Sequence, residues 1–138
     1  MTERSLQAVL AVVAAYQIVT GFIALVAPDT FFDQIGRYGV ENSHYVGDVG
    51  AFTLAAGIAV AICVLRPSWR VPILWTGAFW YGLHALNHAF DTGEARSDAR
   101  GWLDTILLAW AGLGSAWLAV VAERLQATRL QEEEVRSP

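Results

Sequence analysis

Residues 81–91, YGLHALNHAFD, place His84 and His88 four positions apart and Asp91 three further on, in a segment otherwise rich in Trp, Leu, Ala and Phe. On a helix this spacing sets both imidazoles on one face, with Tyr81 and Asp91 extending the stripe. A second pair at the same spacing, His44 and Asp48, opens another apolar run, and Asp104 opens a third. Imidazoles with carboxylates suit a transition metal, and His44, His84, His88, Asp48 and Asp104 are the candidate ligands. Histidines from facing helices, His44 with His84 or His88, suit haem. A carboxylate beside an imidazole, Asp48 with His84, suits proton transfer on a lipid-soluble substrate and makes these two the candidate catalytic residues. Tyr16, Gln17, Tyr81 and Asn87 are candidates for contact with a cofactor. The HALNH stretch lacks the glutamate of the HExxH pattern, so nothing points to a peptidase.

The elements that carry these residues are unusually apolar. The chain has 138 residues, 55% of them hydrophobic and 16% charged, with a mean hydropathy of +0.40. Residues 6–27, 49–65, 71–90 and 105–122 contain no Asp, Glu, Lys or Arg, and His84 and His88 are their only titratable imidazoles. About 20 apolar residues cross a hydrocarbon core near 30 Å thick. Four such runs predict an all-α integral membrane protein, a four-helix antiparallel bundle. A soluble bundle would show a polar stripe on each helix, and stretches such as TLAAGIAVAICVL show none. The first run is too long for the apolar part of a signal peptide, and Pro28 after Ala27 makes a poor cleavage site.

Helices are expected over about 6–27, 43–65, 71–91 and 102–125, forming one domain over 1–126, followed by an acidic solvated tail over 127–138. Pro28-Asp29 stops the first helix and a loop of roughly a dozen residues follows. Asn42 and Ser43 are good N-caps for the second, and Pro72 sits in the tolerated first turn of the third. Arg4, Arg66, Arg70, Arg124, Arg129 and Arg136 fall on one side, and Arg37, Arg96 and Arg100 on the other. This asymmetry puts both termini in the cytoplasm.

In that topology His44, Asp48, His84, His88, Asp91 and Asp104 all gather at the outer face. His84 lies roughly 9 Å inside Phe90, and Asp48 roughly 9 Å inside Asn42, so the two can share a level. A carboxylate at that depth needs a partner, and His84 or His88 is the expected one. Tyr16, Gln17 and Thr20 would floor a funnel open to the outside. Blander roles compete: Asp104 can favour a helix start, Asp91 a turn, and His44 can be solvated. The small residues Gly47, Gly50, Ala51, Ala55 and Gly57, and Gly112, Ser115, Ala116 and Ala119, permit close helix approach within the bundle or in a homodimer. The lone Cys63 is expected to be a small core residue.

The acidic tail and the absence of lysine exclude nucleic acid as a partner class. In its length, in YQIVTGFIALVAP ending the first helix and in HYVGDVGAFTLAAGIAV opening the second, the chain resembles the small four-helix DoxX-like membrane proteins of bacteria. The resemblance implies a multi-pass protein of the bacterial plasma membrane and, from some relatives, a quinone-linked oxidative role. It assigns no catalytic residue. The expected function is therefore an outer-side His/Asp pocket for a metal, haem or quinone-like ligand, with possible redox chemistry. The alternatives are an accessory subunit of a larger membrane complex and an acid–base enzyme acting on a lipid-soluble substrate.

Overall fold

Caps and prolines set the helix boundaries. Thr2 caps α1 (Glu3–Val26) by accepting from the backbone N–H of Ser5. Pro28 ends that helix and opens another, α2 (Pro28–Gln34), because its fixed φ suits a first helical position. Half of the expected loop is thus helical, with Phe32 buried. Asn42 caps α3 (Ser43–Leu65), its side chain accepting from the N–H groups of His44 at 3.1 Å and Tyr45 at 3.3 Å. Short 3-10 turns at Pro67–Trp69 and Thr92–Glu94 lead into α4 (Arg70–Phe90) and α5 (Asp98–Arg136). The computed structural model describes residues 1–136, and among these the regular structure is helical.

The last helix departs most from expectation. It runs 39 residues, through most of the segment expected to fray. Ala, Gln, Leu, Arg and Glu are strong helix formers, and Arg129 is held 2.7 Å from Glu3. The last two residues of the expected tail, Ser137 and Pro138, lie outside the described residues.

The helices associate as two antiparallel pairs, α1 with α3 and α4 with α5. Glycines let α1 and α3 meet backbone to backbone. A Cβ on Gly50 would stand 2.6 Å from the Leu25 nitrogen, and one on Gly57 2.8 Å from that of Ile18. Gly21 faces Leu54 just as closely. Gly112 of α5 faces Gly82 of α4 in the same manner, at 3.1 Å. Gly50, Gly57 and Gly112 therefore serve packing within the chain, whereas Gly47 faces open space.

Between the pairs, the buried core lies toward the end that holds the termini. Leu6, Leu10, Ala14, Val60, Cys63, Leu74, Leu118, Ala119 and Ala122 form the core there. Elsewhere large apolar side chains such as Val12, Phe79, Leu83, Trp110 and Trp117 lie on the outside. So much outward apolar surface has no counterpart on a monomeric soluble protein. Among the described residues three helices, α1, α3 and α5, are long and apolar enough to cross a membrane. At 21 residues α4 has the length, but His84, Asn87 and His88 make it more polar than the expected four equal spans.

Alanine at Gly57 and at Gly47 brings the same helix-propensity gain, up to about 1 kcal/mol. Only at Gly57 does the new methyl meet backbone. Gly57→Ala is expected to lower the unfolding midpoint in detergent and Gly47→Ala to leave it unchanged or raise it. Equal shifts in the two variants would contradict the α1–α3 contact.

Candidate functional site: a cleft between the helix pairs

Beyond the shared core the two pairs separate, and a cleft opens between them. Its inner part has a volume of about 380 Å³ and lies between α3, with Phe52, Ala55, Ala56 and Ala59, and α4, with Trp80, Tyr81 and His84. Tyr16, Gln17 and Thr20 of α1 also line it. The run of alanines on α3 leaves this space, since larger side chains at those positions would fill it. Phe52 and Trp80 meet across the pairs with ring centroids 4.1 Å apart. A second volume of about 670 Å³ lies toward the loops and shares Tyr16, Phe31, Ile35, Val49, His84 and Leu108 with the first. The two make one cleft, within the size range of small-molecule sites.

His84 stands where the two volumes meet, and His88 lines the outer one. Their Nε2 atoms are 3.1 Å apart, so one ring donates a proton to the other. Both Nδ1 atoms are buried without a partner. Of these two, one carries a hydrogen and the other a lone pair, which gives the pair a donor and an acceptor to offer. Trp80 holds His84 edge-on with centroids 5.5 Å apart, and Tyr38 packs on His88 at 4.1 Å. The Tyr38 hydroxyl donates to the Gly101 carbonyl at 3.3 Å. Burial first, and then the carboxylates of Asp104 and Asp91, push this phenol above its usual value of about 10, so it is neutral at physiological pH.

The connecting segments belt the outer ends of the pairs together. Gly39, at φ +58°, lets its N–H reach the Glu94 carbonyl at 2.9 Å, beside a single antiparallel bridge from Tyr38 to Ala95. Arg96 donates to the Asp33 carbonyl at 3.0 Å. Arg100 pairs with Asp104 at 3.0 Å and reaches the Ile35 carbonyl at 3.4 Å.

The structure divides the residues singled out in the sequence. Tyr16, Gln17, Tyr81, Asn87, His84, His88 and Asp104 all line the cleft. His44 and Asp48 do not. They face each other at 3.7 Å with side chains 80% and 68% exposed, so the expected pairing of Asp48 with His84 or His88 is absent. At about 100° per residue Asp48 lies roughly 160° round the helix from Gly50, whose face is committed to α1. The carboxylate of Asp104 is engaged by Arg100. The five expected ligands therefore fall into separate groups, and among the described residues no set of three or more His, Cys, Asp or Glu side chains converges.

Sequence reasoning missed Phe52, Ala56, Ala59 and Trp80 as cleft walls, along with Tyr38 and Arg100 at the rim. The alanine run was the available signal, because a helix face of small residues either packs tightly or borders a space.

Arg100→Ala would release Asp104 and the Ile35 carbonyl. This half-exposed pair contributes about 1 kcal/mol or less to global stability. The expected result is faster amide exchange over residues 35–42 and 91–101 with little change in the unfolding midpoint. Unchanged exchange there would count against the belt. Set against protein-family models, curated proteins and solved structures, the chain matches none in any of the three comparisons.

Proposed function

We propose that the chain is a four-span protein of the bacterial plasma membrane, with both termini cytoplasmic, whose outer-side cleft binds a lipid-soluble, quinone-like ligand beside His84 and His88. The fourth span is α4. Its exposed Phe79, Leu83, Leu86 and Phe90 recur at helical spacing and give it an apolar outer face of its own, while its histidines turn toward the cleft. The arginine asymmetry supports the orientation. The DoxX-like resemblance is compatible with this reading and rests on chain length and the two sequence stretches.

One observation carries the ligand assignment. A largely apolar volume of about 380 Å³ is bordered by the half-buried His84 imidazole, whose buried Nδ1 has no protein partner. Buried polar atoms without partners are costly, and a ligand group is the economical way to satisfy them. An apolar ring carrying oxygen atoms fits such a site and can exchange a proton with the histidine pair. A metal or haem reading has less support, because His44 and Asp48 lie on another face and Asp104 is paired. Proton exchange then rests on His84 and His88, without Asp48.

Binding of a short-chain quinone to the protein in detergent can be followed by fluorescence quenching of Trp80. The expected signal is saturable and disappears in Trp80→Phe. Ala56→Phe, which fills the cleft, should weaken binding about tenfold or more. Quenching that never saturates, or that is indifferent to Ala56→Phe, would contradict the proposal.

A further inference from the structure

On the α1 side of the inner volume Gln17 is 5% exposed and lines the cleft. Its amide nitrogen donates to the Tyr81 hydroxyl oxygen at 2.9 Å, and its Oε1 is buried with no partner. The Tyr81 proton is then also unspent, since the phenol oxygen is acting as acceptor. Thr20 is bonded to neither group: its hydroxyl donates back to the Tyr16 and Gln17 carbonyls of its own helix. Turning the amide over changes the labels and not the balance: Tyr81 would donate to Oε1, and the pair would offer an amide N–H and a phenol lone pair. In either orientation Gln17 and Tyr81 present an unanswered acceptor beside a free donor, with a second amide or phenol hydrogen also unspent.

A hydroxyl group meets both at once, donating with its proton and accepting on its oxygen. A ketone oxygen or an ether oxygen meets only the donor and leaves the acceptor buried and unpaired. We infer that Gln17 and Tyr81 form a hydroxyl-recognition subsite, which takes the O–H of a lipid-soluble phenol or alcohol whose apolar body lies in the inner volume beside Ala56 and Ala59. The inference rests on the cleft being a ligand pocket and adds the chemistry of the ligand. For a quinone-like ring it selects the reduced, hydroxyl-bearing form over the carbonyl form. Sites built to hydrogen-bond a hydroxyl reject analogues without one because their own polar groups are left unpaired.

The test compares para-hexylphenol with its methyl ether, para-hexylanisole, by calorimetric titration of the detergent-purified protein. The ratio of the two dissociation constants is measured in wild type, Gln17→Leu and Tyr81→Phe, so that partition into micelles cancels between proteins. Wild type should favour the phenol by about tenfold relative to Gln17→Leu, which should still bind the ether. Tyr81→Phe should lose most of the same preference, and it carries the comparison if Gln17→Leu does not fold. Equal ratios in wild type and variants, with saturable binding of both compounds, would overturn the subsite and leave the cleft as a pocket, its polar end satisfied by water. No saturable binding of either compound to wild type would overturn the pocket as well.

Discussion

The fold depends on one buried charge. Arg70, the first residue of α4, is 2% exposed, and a guanidinium in that position must have its donors answered. Its Nε donates to the Cys63 carbonyl at 2.8 Å and its Nη2 reaches the Val64 carbonyl at 3.4 Å. These carbonyls belong to the last turn of α3, where they have no helical partners and where the helix dipole favours a cation. Nη1 stands 2.7 Å from Glu3, whose other oxygen stands 2.7 Å from Arg129 of α5. Arg70 and Glu3 together thus join all four long helices at the end that carries the N-terminus. Removing a partner from such a buried pair typically costs about 3–5 kcal/mol, so the closure is sensitive to either residue.

That closure explains why the cleft lies where it does. The core of Leu6, Leu10, Cys63, Leu74 and Ala119 packs just beyond the Arg70 knot. Each helix pair is rigid along its own length, because glycines lock α1 to α3 and α4 to α5. Two rigid pairs joined at one end leave space toward the other, and the alanines of α3 keep that space from filling. The outer belt of Arg96, Arg100, Gly39 and Tyr38 limits how far the pairs can part. Polar atoms then sit at two levels of an otherwise greasy cleft, Gln17 with Tyr81 below and His84 with His88 above.

Much of this architecture is legible in the sequence. The residue range of α3 is the expected one and α4 differs by a residue at each end, because Asn42 and Pro72 are strong local signals. The extent of α5 was hidden because a charged, solvated segment reads as a frayed tail unless its Arg129 contact is known. The rotation of α3 was the costlier miss. Spacing alone shows that His44 and Asp48 share a face, but an all-apolar helix carries no polar stripe to say which face looks inward. Gly50 and Gly57 held that information, since the face that lets two backbones touch is the packed one, and Asp48 lies nearly opposite. In α4 the problem did not arise: the exposed Phe79, Leu83, Leu86 and Phe90 fix the outer face, and the histidines follow on the other.

Whether the cleft holds a ligand, as proposed, can be observed directly. A density map of the protein taken from its own membranes into lipid nanodiscs would test it. A density is expected in the inner cleft beside Ala56 and Ala59, reaching Gln17 and Tyr81 at one side and His84 at the other. Helix pairs packed together along their whole length, with no density between them, would contradict it.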